Sequence, residues 1–146
     1  MVQMNTLSSE VKNSTVHFFE DDPRVCLKES SIENAGLGLF ARRNLREGEM
    51  FVYWGKILNR AEGKKIEKSL SDYVYQTEDD VYIDAKKSHN CPARWLNDGG
   101  ISGHVDNCEF LEGVHPKFPV IVTTRDVLRG EELFVSYGKS YWADYK

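Results

Sequence analysis

Cysteine is scarce in this chain: three among 146 residues, Cys26, Cys91 and Cys108, form no CxxC pair and leave one over under any disulfide pairing. That excludes a disulfide scaffold and agrees with a reducing compartment. No apolar run approaches the roughly 20 residues needed to span a bilayer, and the polar N-terminus lacks a signal-peptide core, so a soluble intracellular protein with no membrane partner is expected. Clustered basic charge is missing too. Lys and Arg number 19 against 23 Asp and Glu, a net charge of −4, and without a basic stripe to neutralise phosphates a general nucleic-acid binder is excluded. An acidic surface suits a basic partner better.

What is present is an ordinary globular composition, 40% hydrophobic and 29% charged, in a chain long enough for one core and short for two. A single domain is expected over 22–146, ending in a short C-terminal segment, behind a polar N-terminal tail at 1–21. Within that tail His17-Phe18-Phe19 is expected to dock on the body.

The chain is organised around Arg129-Gly130-Glu131-Glu132-Leu133-Phe134-Val135-Ser136-Tyr137-Gly138, which reads as a turn feeding a short apolar strand that ends on an exposed tyrosine. An earlier stretch, Arg43 to Gly55, echoes Asp126 to Gly138: turn, strand, aromatic, glycine. Two such copies are too few for a solenoid and predict similar strand pairs folded into one small body, with Tyr53 and Tyr137 at similar strand ends. Further strands are expected at Val25-Cys26-Leu27, at Tyr73-Val74-Tyr75 and Val81 to Ala85 around the acidic turn Glu78-Asp79-Asp80, and at Val120 to Thr124. A short exposed helix is expected over Ala61 to Leu70. Many short strands and little helix make the class mainly β.

Gly36-Leu37-Gly38-Leu39-Phe40-Ala41 satisfies the G-x-G-x-x-A dinucleotide pattern. Its context does not, because no buried strand leads into Gly36 and a second strand follows too soon for a crossover helix. What remains is a close backbone approach that glycine permits, to another strand or to a ligand, with the strand favoured. His89-x-Cys91 and His104-x-x-x-Cys108 lack the spacing of a zinc finger and read as loop histidines and buried thiols, so no metal is expected.

Taken in order, Gly36-Leu37-Gly38, Tyr53-x-Gly55, Tyr82-Ile83-Asp84-Ala85, Ala93-Arg94-Trp95-Leu96-Asn97, Asn107-Cys108 and Glu131-Glu132-Leu133 to Tyr137-Gly138 resemble the SET-domain protein lysine methyltransferases. The resemblance runs from about Arg24 to Trp142. It implies the SET-domain (β-clip-like) fold, short strands with a knot-like crossing of the segments around Asn97 and Tyr137. It implies S-adenosylmethionine bound by Gly36, Leu37, Gly38, Arg94, Asn97, Asp98, Tyr137 and Trp142, with Tyr137 and Tyr53 as the catalytic pair and Tyr53, Tyr73 and Val135 lining the channel for the target lysine. It also implies a protein partner with a basic, lysine-containing segment, a histone foremost, met in the nucleus on chromatin. Three departures stand out: Asp98 occupies the family's usual histidine position, the loop from Asn97 to Asn107 is longer than usual, and the cysteine-rich flanking segments of many members are missing. Asp98 and the long loop motivate an alternative, an inactive SET-like module that binds a basic peptide.

Methyl transfer to lysine is an in-line displacement, so an enzyme has mainly to align the reactants and supply a neutral amine. A free lysine, with a pKa near 10.4, is almost wholly charged at pH 7; an apolar, aromatic channel lowers that pKa by desolvation, and tyrosine hydroxyls orient the amine. Where the family often carries tyrosine or phenylalanine two residues before Tyr137, this chain has the smaller Val135, which donates no hydrogen bond, so di- or trimethylation is expected.

Overall fold

The computed structural model describes residues 15–68 and 73–136. They form a mainly β body of three small antiparallel sheets. The first holds β1 (His17–Phe19), β2 (Asp22–Glu29) and β3 (Leu37–Ala41), with β2 in the centre. The second places β9 (Val120–Thr123) between β4 (Met50–Val52) and β8 (Cys108–Leu111). In the third, β7 (Tyr82–Asp84) lies between β5 (Lys56–Leu58) and β6 (Val74–Gln76). The expected exception in the tail is real: His17–Phe19 is a strand paired with β2, so the first sheet begins inside the stretch read as tail.

The helix expected after residue 60 is α1 (Arg60–Lys68). A capping box starts it: Asn59 Oδ1 accepts from the Glu62 N–H at 2.9 Å, and Glu62 Oε1 accepts from the Asn59 N–H at 3.2 Å. Gly63 sits in its interior despite the helix cost of glycine, because any Cβ there would overlap the Tyr82 ring on which the helix rests.

A second structural principle ties the sheets together. The sequence echo is a local pseudo-twofold, with a register one residue off that expected: Arg43-Asn44-Leu45 and Gly48-Glu49 match Arg125-Asp126-Val127 and Gly130-Glu131. Leu45 and Val127 exchange both backbone hydrogen bonds, at 2.7 and 2.9 Å. Asn44 Oδ1 accepts from the Arg129 N–H, and in return Asp126 Oδ1 accepts from the Glu47 N–H, both at 2.9 Å. Each turn closes on its own ion pair, Arg43 with Glu49 at 3.0 Å and Arg125 with Glu131 at 3.2 Å. Gly48 and Gly130 supply the left-handed residue of the two turns, at φ 93° and 91°. In this register Tyr53 corresponds to Val135 rather than standing beside Tyr137, which lies outside the described residues.

The apolar strand expected over Leu133-Phe134-Val135 is not a regular strand. Phe134 bridges Asn97 and Val135 bridges Cys108, both in parallel, while Glu132 bridges Phe40 in antiparallel fashion. The segment thus passes between the Asn97 stretch and the Asn107-Cys108 stretch, which is the crossing the family resemblance implied. Asn107, 1% exposed, clamps it: its Nδ2 donates to the Glu132 carbonyl at 2.9 Å and its Oδ1 accepts from the Phe134 N–H at 2.8 Å. The core around the crossing includes Leu39, Leu45, Phe51, Tyr53, Ile83, Ile121, Leu133 and Val135.

Candidate functional site

Two groups of the expected site residues come together, one at the crossing itself and one among aromatic rings. In the first, β3 brings Leu37 and Gly38 against Asn97. Asn97 Nδ2 donates to the Leu37 carbonyl at 3.1 Å and to Glu132 Oε2 at 3.4 Å. Gly38 is a glycine for a steric reason: a Cβ built there would fall within 2.9 Å of the Glu132 Cδ, closer still to Oε2, and 3.2 Å from Asn97 Nδ2. The close approach expected of this glycine is thus to the side chain of a buried carboxylate, rather than to another strand or a ligand. Gly36, exposed and at φ 77°, turns the chain into β3, and its carbonyl accepts from the Ser30 N–H at 2.8 Å.

Glu132 is the residue that sequence reasoning passed over. It is 6% exposed and no Lys, Arg or His pairs with it among the described residues. Four donors hold it instead: Ser30 Oγ at 2.7 Å, the Ser31 N–H at 2.9 Å, Ser31 Oγ at 2.6 Å and Asn97 Nδ2. Hydrogen bonds to an ionised acceptor are roughly twice as strong as neutral ones. The carboxylate thereby ties the Ser30–Gly36 loop, the Gly38 strand and the Asn97 segment into one unit. The signal available in the sequence was the Ser30-Ser31 pair facing a carboxylate in an apolar run, and nothing in one sequence says that such residues meet.

The second group is aromatic. Tyr53 is buried and its hydroxyl donates to the Tyr73 carbonyl at 2.7 Å. Its ring packs at 6.1 Å from Tyr75 and edge-on at 5.8 Å from Phe110. Tyr75 and Phe110 approach to 4.6 Å, and the Tyr75 hydroxyl donates to Glu112 Oε2 at 2.8 Å. Burial first, then the bond to and charge of Glu112, push the Tyr75 phenol well above its ordinary range. The glycine of Tyr53-x-Gly55 serves packing: a Cβ there would overlap the Asp84 carbonyl and come within 2.9 Å of the Ala85 Cα.

Arg94 lies on the 3-10 turn Pro92–Trp95. Its guanidinium stacks 4.2 Å from the centroids of both Tyr73 and Trp95. Nε donates to the Ala85 carbonyl at 2.9 Å and Nη2 to the Lys86 carbonyl at 3.0 Å. Burial lowers its pKa, yet arginine stays charged. Arg94 and Asn97, three positions apart on the turn and its exit, point to different groups. Val135 belongs with the Asn97 side: 1% exposed, it donates its N–H to the Asn97 carbonyl at 3.1 Å. Tyr137 and Trp142 lie outside the described residues.

Asp98, buried, accepts from the Gly100 N–H at 2.9 Å and opens the 3-10 turn Gly100–Ser102. The long loop that follows folds back onto the crossing, with the His104 ring 4.8 Å from Phe134. Burial and then the charge of Asp98 raise the Asp106 carboxyl above its ordinary value. His89 packs instead on Trp95 at 6.5 Å. Cys91 Sγ donates to the Val52 carbonyl at 3.3 Å, and burial pushes the Cys108 thiol up to about 12. Among the described residues no three His, Cys, Asp or Glu side chains converge to hold a metal ion, and no helix is long and apolar enough to cross a membrane.

Comparison with known proteins adds the following. A family model described as the SET domain matches residues 36–138. The chain is 31% identical over 108 residues to a Schizosaccharomyces pombe protein named histone-lysine N-methyltransferase, H3 lysine-4 specific, covering 69% of this chain and 11% of that one. It is 28% identical over 132 residues to histone-lysine N-methyltransferase EZH2 of Chaetomium thermophilum, covering 80% and 8%. With human histone-lysine N-methyltransferase 2B it shares 32% identity over 108 residues, 70% of this chain and 4% of that protein. The chain thus spans only a small fraction of the length of each of these relatives.

Proposed function

This chain belongs to the SET domain family, and from that premise we propose that it is an S-adenosylmethionine-dependent protein lysine methyltransferase acting on a basic segment such as a histone tail. The observation that carries the reading is the hydrogen bond from Asn97 to the Leu37 carbonyl, which unites two motifs sixty residues apart inside the matched domain. The relatives' names, all histone-lysine methyltransferases, support the substrate class.

The residues present suit the cofactor. It carries an ammonium and amino groups that need acceptors, and a carboxylate that needs donors. Asn97 Oδ1 has no hydrogen-bond partner among the described residues and sits beside the Gly36-Leu37-Gly38 backbone. Arg94 Nη1 is buried without a partner among the described residues. Gly36, Leu37, Gly38, Arg94, Asn97, Asp98, Tyr137 and Trp142 are the residues we assign to holding it. When bound, S-adenosylmethionine supplies a methyl group activated on a sulfonium.

The chain's own part is alignment and desolvation. Tyr53, Tyr73 and Val135 would line the lysine channel, whose aromatic and aliphatic walls disfavour the ammonium and so favour the neutral amine. Tyr53 gives its hydroxyl proton to the Tyr73 carbonyl, which fixes the hydroxyl against the Tyr73 backbone at the wall of the proposed channel. Tyr137 is the second hydroxyl that would orient the reacting groups. Val135 offers no hydroxyl to fix a methylated amine, so we assign the enzyme di- or trimethylation.

Calorimetric titration with S-adenosylmethionine is the direct test, with one site per chain expected. Tyr137→Phe, which deletes only a hydroxyl, should cut methyl transfer by roughly a hundredfold while cofactor affinity stays within about twofold. No detectable cofactor binding would leave a peptide-binding module as the better reading.

A further inference from the structure

A groove of about 410 Å³ runs along β4, lined by Met50, Phe51, Val52 and Trp54. Strand alternation builds its floor: Phe51 and Tyr53 are buried, whereas Met50 and Trp54 are 44% and 38% exposed and Val52 is half-buried between them. Glu20, Asp21 and Asp22 at the β1–β2 turn contribute the acidic part of the lining, with Arg24 and Asn90 beside them. Met50, Val52 and Trp54 leave apolar surface partly open in a groove that Phe19, Asn90 and Pro92 also line, and they stand next to three consecutive carboxylates.

The charges in this groove do not balance. Asp22 is taken by Arg24, whose Nε and Nη2 reach it at 2.9 and 2.8 Å. The same guanidinium lies 3.9 Å from the Phe51 ring centroid and touches Glu49 at 3.5 Å. Arg24 is thus committed to two carboxylates and a ring. Glu20 and Asp21 are exposed and have no cationic partner among the described residues. Two uncompensated carboxylates beside an apolar floor, with an indole face able to take a cation, match an arginine or lysine set next to an aliphatic side chain. An anionic ligand would be repelled, and a purely apolar one would leave the carboxylates desolvated and unpaired.

We propose that this groove docks a basic segment of the substrate protein, an arginine or lysine beside an aliphatic residue, along the strand that leads into Tyr53. The proposal rests on the methyltransferase reading above. It separates capture from chemistry: a tethered second contact raises the effective concentration of the acceptor lysine without touching the reacting atoms. Substrate length and the charge remote from the target lysine would then set KM, and the channel would set kcat.

The test uses the full chain and a fluorescein-labelled peptide with two arginines flanking a leucine and no lysine, which cannot serve as a methyl acceptor. Fluorescence anisotropy should show saturable binding that weakens with added salt. The charge-reversing pair Glu20→Lys/Asp21→Lys, on an exposed turn, should weaken it about tenfold, and Trp54→Ser should weaken it as well. On a long basic acceptor the double variant should raise KM about tenfold with kcat within about twofold. On a lysine peptide too short to reach the groove it should change neither. Equal peptide affinity in wild type and double variant overturns the proposal. So does a dimer in sedimentation velocity that the double variant breaks up, since the occupant would then be a second copy of the chain. Tight peptide binding lost in the double variant, with no methyl transfer to any acceptor, upholds basic-peptide docking and defeats the methyltransferase reading.

Discussion

Replacing Gly38 with alanine sets a methyl group against a carboxylate that has no free space to occupy. The new Cβ would lie 2.9 Å from the Glu132 Cδ and 3.2 Å from Asn97 Nδ2, where ordinary contact begins at 3.4 Å. Strand β3 cannot easily retreat, because Gly38 is paired with Lys28 and the next residue's carbonyl accepts from the Leu133 N–H at 2.8 Å. The carboxylate has to move instead, and its bonds to Ser30 and Ser31 are the ones lost. Charge-assisted hydrogen bonds contribute about 1.5–3 kcal/mol each. Losing one or two of them, offset by the roughly 0.5–1 kcal/mol that alanine gains over glycine through the unfolded chain, gives a net loss of about 2–3 kcal/mol. For a chain of this length that corresponds to a fall of about 10 °C in Tm. A thermal melt followed by circular dichroism reads it directly. The companion is a double-mutant cycle with Glu132→Ala, which removes the object of the clash, so the double variant should be less damaged than the sum of the singles by at least about 1 kcal/mol. A Gly38→Ala protein melting within a degree or two of wild type, or strict additivity in the cycle, would refute the argument that Gly38 exists to admit Glu132.

Asn107→Leu should cost about 3 kcal/mol in denaturant unfolding, because it keeps the volume but leaves the buried Phe134 N–H and Glu132 carbonyl without partners; a loss under about 1 kcal/mol would show that the clamp does not hold the crossing. Acid should weaken the pseudo-twofold. Glu49 is pushed up by burial but held below its ordinary value by the Arg46 N–H and Arg43, and Glu131 is held down by the Leu128 N–H and Arg125. Asp22, pushed up by burial, is brought below its ordinary value by Arg24. A carboxyl depressed in the folded state contributes stability that is complete above its unfolded pKa, near 4, and is lost as pH falls through the folded value. Tm should therefore be flat on this account down to about pH 5 and drop below about 4, with Glu49→Gln flattening part of the drop; a Tm rising toward pH 3 would contradict the sign.

Much of the fold was legible because local signals are strong where strands are short and punctuated. Val25-Cys26-Leu27 is a short apolar run that becomes the fully buried middle of β2, Glu78-Asp79-Asp80 breaks β6 from β7, and the charged stretch from Ala61 gives α1. The register of the internal repeat was not legible to the residue, since Leu45 can be laid on Leu128 as well as on Val127, and only the backbone bonds choose Val127. Nor was the irregular geometry of Glu132 to Val135, whose partners, Phe40, Asn97 and Cys108, are distant in sequence. The site residues were found through an ordered set of motifs. Their grouping around two separate centres was not, because Arg94 and Asn97 read as one motif and diverge in space. Glu132 stayed hidden because a buried carboxylate and a solvated one look alike in a single sequence.

The most direct measurement is mass spectrometry of a lysine-containing histone-tail peptide incubated with the full chain and S-adenosylmethionine to completion. The account predicts a product carrying two or three methyl groups on one lysine, absent without the cofactor and nearly absent with Tyr137→Phe. An unmodified peptide, across histone tails and a cell extract, with protein shown to be folded, would contradict the assignment as a methyltransferase; a product that stops at one methyl group, and still stops there in Val135→Ala, would contradict the role given to Val135.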